Sequence, residues 1–236
     1  MQTDTTFQRY SRQVFIEEIG VAGQRKIAAA KVLVVGAGGL GSPVIQYLAA
    51  AGIGTLAVLD FDQVELHNLN RQVIHTERTV GTDKVVSAAR FVTELNSHVR
   101  FIPLCEKIHA DNAEQLIQDY DIVVDGSDNF TTRYLVNDAC VALNKPLLYG
   151  SILSFEGQVA VFNYRGSKQL RDLFPDPPAV ADVPDCDSLG VLGPLPGIVG
   201  SMMAMLLLKM VCELPVETNQ LTLIDTWQWK FMTVKF

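Results

Sequence analysis

The chain has 236 residues, of which 48% are hydrophobic and 19% charged. At ~150 residues per domain this is one large domain or two small ones, and a chain so apolar is not a disordered one. The 19 Lys and Arg against 26 Asp and Glu give a net charge of −7, which, without a basic run, argues against a nucleic-acid binder.

Residues 1–13 are polar and lack the apolar core of a signal peptide. Residues 7–30 read as one or two helices, broken near Gly20. Residues 31–35 (Lys-Val-Leu-Val-Val) read as a buried strand, because the run is continuous and β-branched rather than alternating. Residues 36–41 form a glycine-rich turn. Residues 42–51 follow as a helix, with Pro43 tolerable in its first turn. Further strands fall at 55–59, 101–104, 122–124 and 147–149, and helices at 82–96, 112–118 and 130–143. Strands alternating with helices imply a parallel sheet with right-handed crossovers.

The second half changes character. Residues 158–164 read as a strand. Residues 166–190 are long and punctuated by Pro175, Pro177, Pro178 and Pro184, which predicts a structureless, mobile loop. An apolar helix is expected over 198–214. Closing antiparallel strands are expected at 221–224 and 229–235. Trp227 and Trp229 alternate, as two residues sharing one face of a strand would, and that face could be core or partner-binding. The longest apolar run, near Met202–Leu208, stops at Lys209, short of the about 20 residues of a membrane span. The four cysteines (Cys105, Cys140, Cys186 and Cys212) form no CxxC pair, which fits a reduced, cytoplasmic chain. Cys105, Cys140 and Cys212 fall in apolar patterns and are expected in the core.

The predicted class is α/β: a doubly wound, Rossmann-like nucleotide-binding sheet, extended by antiparallel strands and preceded by N-terminal helices. One domain over 1–236 is expected, with helices at 7–30, a core at 31–150, the crossover loop at 166–190, and a helix and closing strands at 191–236.

Gly36-Ala-Gly38-Gly39-Leu-Gly41 fits G-x-G-x-x-G and lies between a strand and a helix. Glycines there let phosphate approach backbone N–H groups at a helix N-terminus. Asp60 ends the next strand, where an acid can hold a ribose hydroxyl. NAD is one candidate nucleotide. Beyond Asp60 come Asp62, His67, Asn68, Leu69, Asn70, Arg71 and Gln72, then Lys84, and Asp128 with Asn129 after the fourth strand. Loops after parallel strands gather at the sheet's carboxyl edge. They would bring Arg71, Lys84 and Asp128 to the nucleotide. A dehydrogenase does not need two cations and an acid beside the phosphates. Nucleotidyl transfer does, because cations neutralise charge at phosphorus and an acid holds Mg²⁺. Singly, each residue has a plainer role: Arg71 in a surface ion pair, Lys84 on a solvated helix face, Asp128 or Asn129 as a helix cap.

The sequence resembles the ThiF/MoeB/HesA family, bacterial relatives of ubiquitin-activating enzymes. The matching stretches are Arg9-Tyr-Ser-Arg12-Gln13, the glycine loop, Asp60-Phe-Asp62, Asn68-Leu-Asn-Arg71-Gln72, Val80-Gly-Thr-Asp-Lys84 and Asp125-Gly-Ser-Asp128-Asn129. Gly150, Glu156-Gly157-Gln158 and Gly190-Val-Leu-Gly-Pro-Leu-Pro-Gly197 complete them. The resemblance implies an ATP-dependent adenylyltransferase, acting on a small ubiquitin-like sulfur carrier that ends in Gly-Gly, in thiamine or molybdopterin-type cofactor synthesis. It puts Gly38, Gly39 and Gly41 at the phosphates and Asp60 at the ribose. It places Asp62, His67, Asn68, Leu69, Asn70, Arg71, Gln72, Lys84 and Asn129 around ATP, and Asp128 on Mg²⁺. Arg12 would reach into a neighbouring subunit's site, so a homodimer is implied. An NAD(P)-dependent oxidoreductase rests only on the glycine loop and Asp60. A non-catalytic scaffold would have no use for Arg12, Arg71, Lys84 and Asp128 together.

Many family members carry zinc on two CxxC pairs. Residues 164–174 hold no cysteine where the first pair would lie, so no zinc is expected, and packing by Trp227, Trp229 and the Met-rich helix would hold this region instead. Cys186 matches a cysteine that some members use for persulfide or thioester linkage. It is otherwise a passive loop thiol, and Asp185 and Asp187 beside it disfavour thiolate.

Overall fold

The computed structural model describes residues 5–178 and 190–236. Its elements are helices α1 (Thr5–Val14) and α2 (Gly20–Ala29), strand β1 (Lys31–Val35), α3 (Gly41–Ala51), β2 (Thr55–Leu59), α4 (Lys84–Leu95), β3 (Arg100–Leu104), α5 (Ala113–Ile117), β4 (Ile122–Asp125), α6 (Phe130–Ala142), β5 (Leu147–Leu153), β6 (Glu156–Phe162), one-turn α7 (Leu170–Leu173), α8 (Pro194–Val211), β7 (Gln220–Asp225) and β8 (Lys230–Lys235). The strands form one sheet ordered β3-β2-β1-β4-β5-β6-β7-β8. The first five are mutually parallel, and β6 to β8 continue antiparallel. This is the doubly wound sheet with an antiparallel extension that the sequence predicts.

Alternation along each strand feeds two cores. Val32, Val34, Leu56, Val58 and Val124 face α3, α4 and α8 on one side of the sheet. Leu33, Val35, Ala57, Leu59 and Val123 face α5, α6 and Leu170 on the other. Apolar residues pointing both ways explain why these strands read as continuous runs. Strand order reverses between β1 and β4, the point at which open α/β sheets bind ligands.

Several expectations need correction. The stretch 166–190 contains α7, fixed by Asn137 Oδ1 accepting from Leu170 N at 3.1 Å; residues 179–189, Cys186 among them, lie outside the described residues. The apolar helix begins at Pro194, four residues early, because proline suits a first turn. At 18 residues it is long and apolar enough to cross a membrane, contrary to the reading above, yet Leu195, Val199, Met203 and Leu207 bury it against the sheet. Trp227 and Trp229 are not on a strand. They occupy the β7–β8 turn, 75% and 68% exposed, because Asp225 Oδ1 accepts from both Trp227 N and Gln228 N at 2.9 Å and Trp229 adopts φ +57°. They therefore do not supply core packing. Cys105 is exposed just past β3, an edge strand with one neighbour, whereas Cys140 and Cys212 are buried as expected.

Candidate active site

The glycine loop leaves β1 at the switch point. Gly36 takes φ +97°, and a Cβ there would lie 2.8 Å from Gly126 O, so the turn after β1 and the turn after β4 pack backbone to backbone. Gly126 N donates to Val35 O at 2.8 Å. The two loops that carry Gly38–Gly41 and Asp128 are thereby adjacent.

Asp60 sits at the end of β2. Its Oδ2 accepts from Ala37 N at 2.7 Å and its Oδ1 from Asp62 N at 2.8 Å. Burial pushes its carboxyl above the ordinary range, with the nearby Lys84 charge opposing. Lys84 opens α4. Its side chain is 8% exposed and its Nζ donates to Asp62 Oδ2 at 2.8 Å. A cation this buried requires an acidic partner or a polyanion.

The segment after β2 turns back over the glycine loop. Gln72 is buried, with Nε2 3.6 Å from where a Gly38 side chain would begin, and Arg71 Cδ lies 3.8 Å from the same point on Gly39. Gln72 Oε1 and Ser42 Oγ are buried without a hydrogen-bond partner among the described residues. Unsatisfied polar atoms beside a glycine turn fit a ligand position. Arg71 Nη1 donates to His67 O and Asn70 Oδ1 at 3.2 and 3.1 Å. Asn68 Oδ1 is occupied by Glu65 N at 3.0 Å, so this side chain shapes the turn and leaves its amide hydrogens as donors. Leu69 is half-buried, Asn70 is exposed, and exposed His67 pairs with Glu65 at 3.1 Å.

After β4, Asn129 caps α6, its Oδ1 accepting from Thr132 N at 2.9 Å. Asp128 does not cap. It is exposed, and its carboxylate meets only Asn129 Nδ2 at 3.4 Å among the described residues. No cluster of three His, Cys, Asp or Glu among the described residues could hold a metal. One carboxylate plus phosphate oxygens and water is the donor set Mg²⁺ commonly takes, so Asp128 fits it.

Arg12 is not at this chain's glycine loop. It lies exposed in the last turn of α1. That helix is fastened to the far end of α3 by Gln13 Nε2 donating to Ala51 O at 3.1 Å, and Asn96 Nδ2, just past α4, donates to both Tyr10 Oη and Ala49 O at 2.8 Å. Eleven helical residues separate that end from the loop, roughly 16 Å.

Two further clusters escaped the sequence reading. His75 is buried with Nε2 3.0 Å from Ala37 O and Nδ1 2.8 Å from Ser87 Oγ. Arg133 is buried beneath the Asp128 loop, its Nη2 donating to Ser127 O at 3.0 Å and to Gly150 O at 3.3 Å. Its Nε lies 3.3 Å from Asp125 Oδ2. Burial pushes the Asp125 carboxyl upward and Arg133 opposes it. A cavity of about 410 Å³ opens beside α6, lined by Phe130, Arg133, Tyr149, Leu153, Gln158 and Phe174 among others.

Residues 10–236 match the ThiF family. The chain is 49% identical over 228 residues to the adenylyltransferase and sulfurtransferase MOCS3 of Anopheles gambiae, covering 96% of this chain and 52% of that protein. The same-named protein of Danio rerio is 50% identical over 228 residues, covering 96% and 50%. The chain spans about half the length of the curated relatives it matches. Among solved structures, E. coli MccB with ATP superposes with a TM-score of 0.84 at 23% identity, over 96% of this chain and 71% of that one. PaaA does so with a TM-score of 0.84 at 20% identity, over 99% and 74%. At such identities the likeness carries the fold alone. The switch-point glycine loop, the polar segment folded over it and a family match across nearly the whole sequence agree: this chain belongs to the ThiF family.

Proposed function

We propose that the protein uses ATP to adenylate the C-terminal glycine carboxylate of a small ubiquitin-like sulfur-carrier protein, for sulfur delivery in thiamine or molybdopterin-type cofactor synthesis. The observation that carries this reading is the gathering of Arg71, Gln72, Lys84 and the Asp128 loop around the glycine turn, on a chain about half identical to proteins named adenylyltransferase and sulfurtransferase.

The carrier's carboxylate is ionised at neutral pH and needs no base. One of its oxygens bonds to the α-phosphorus of ATP as the bond to the bridging oxygen breaks. Pyrophosphate leaves with that electron pair, and an acyl-adenylate remains. Anion meets polyanion in this step, so positioning and charge neutralisation are the protein's main contributions. Gly38 and Gly39 present backbone to phosphate. Arg71 and Lys84 set positive charge beside it, Lys84 exchanging Asp62 for phosphate. Asp60 keeps acceptor capacity for the ribose. Mg²⁺ held by Asp128 would offset charge on the phosphates. The cavity beside α6 admits the carrier's extended tail. Arg12 completes the site of a second copy, because it stands too far from its own, and a homodimer follows.

Carrier-dependent exchange of pyrophosphate into ATP tests the reading. Asp128→Ala should abolish exchange, and normal exchange in that variant would sink the metal assignment. Cys186→Ser should leave exchange nearly intact, since no thiol enters acyl-adenylate formation, while any later sulfur transfer through a covalent link is lost.

A further inference from the structure

Ala37 is held through both of the peptide units that meet at it. Its N–H is taken by Asp60 Oδ2 at 2.7 Å, and its carbonyl lies 3.0 Å from His75 Nε2. Ala37 is the second residue of the glycine loop, and the next two residues, Gly38 and Gly39, donate no backbone hydrogen bond among the described residues. Those are the N–H groups left to meet phosphate. The Gly38 N–H shares one peptide plane with the Ala37 carbonyl, so its direction is set by how that plane is turned.

We propose that His75 is a positioning residue for the nucleotide-binding turn. The proposal rests on the reading of that turn as an ATP site. A carbonyl can only accept, so the hydrogen lies on Nε2 of His75. Nδ1 then accepts from the Ser87 hydroxyl at 2.8 Å. Both side chains are buried, at 5% and 3% exposure, so water does not substitute for either bond. Ser87 is one helical turn past Lys84 on α4. The relay Ser87–His75–Ala37 therefore fixes the glycine loop against the same helix that delivers the lysine. Asp60 holds only the Gly36–Ala37 peptide and would leave the Ala37–Gly38 peptide free to turn. With His75, the loop's register against Lys84 and Arg71 is set before ATP arrives, and a preorganised donor loses less on binding.

Glutamine can place an N–H near the position of imidazole Nε2, whereas the shorter asparagine cannot. ATP·Mg²⁺ binding by titration calorimetry, with KM values for ATP and carrier in the exchange assay, separates these cases. His75→Asn should weaken ATP roughly tenfold, the scale of one hydrogen bond, with the carrier KM unchanged. His75→Gln should return ATP affinity to within about threefold of wild type. Ser87→Ala, a milder change, should weaken ATP by about threefold. In the wild-type protein, histidine ¹H–¹⁵N spectra should show His75 as the Nε2–H tautomer, with a resonance that moves when ATP is added. The proposal is overturned if folded His75→Asn binds ATP normally, if the glutamine variant is as weak as the asparagine one, or if His75 carries its hydrogen on Nδ1. Wild-type protein that binds no ATP would overturn the site reading itself and this proposal with it.

Discussion

Single residues at this site are tuned by what surrounds them rather than by their type. His75 shows this in its titration. Burial holds its pKa below the usual histidine value, the Lys84 charge pushes the same way, and the bond to Ala37 opposes both. The unfolded chain therefore binds a proton near pH 6.5 that the folded chain refuses. In the window from about 6.5 down to the lowered folded value, the unfolded state holds more protons, so stability falls as pH falls. Urea midpoints taken from pH 8 to pH 5 should drop more steeply for the wild type than for His75→Gln. Equal slopes would mean that His75 titrates alike in both states. No motif in the sequence singles out His75. Its true partners, a backbone carbonyl and a serine, are remote in sequence and leave no local pattern. Arg133 escaped notice for the same reason: Ser127 reaches it from just past β4 and Gly150 from the middle of β5.

At the scale of elements, periodicity and punctuation carried most of the reading. Helices and strands of the parallel half match their expected positions within a few residues, because continuous β-branched runs and a glycine turn are local signals. The alternation at Trp227 and Trp229 misled, since Asp225 turns the chain before it can continue as a strand. That the loops bearing Arg71, Lys84 and Asp128 gather at the carboxyl edge of the sheet was legible from their positions after parallel strands, whereas which oxygen meets which nitrogen was not. Helix α8 gives an element-scale test. Gly200 rests against the first turn of α3, where an added Cβ would come within 2.7 Å of Leu40 O and also meet Pro43. Alanine raises helix propensity by about 1 kcal/mol over glycine. Overpacking against fixed backbone costs about 1–3 kcal/mol and should win. Gly200→Ala should thus lower unfolding free energy by about 1 kcal/mol and weaken ATP, because Leu40 belongs to the glycine loop. A stabilised variant in urea titration would show that α8 yields there.

For the whole molecule, the α3 rod divides labour between its two ends, with the glycine loop at one and the α1 helix bearing Arg12 at the other. If two copies share their sites, Arg12→Ala and Asp128→Ala proteins, each inactive alone, should regain part of the exchange activity when mixed, since hybrid dimers contain one intact site. No recovery on mixing, or a fully active monomer by light scattering, would dismiss the shared site. The mixed sheet also bears on how the chain finds its fold. Val32 must meet Ile122 across the five elements α3, β2, α4, β3 and α5, whereas Leu153 meets Glu156 across a tight turn. Closing the longer loop costs more entropy before any contact repays it. The two hairpins, β5–β6 and β7–β8, should therefore acquire amide protection first in pulse-labelled refolding, and the crevice between β1 and β4 last. The ATP site would then be the final part of the molecule to form, and binding competence would report completed folding. Early protection of β1 and β4 would reverse that order.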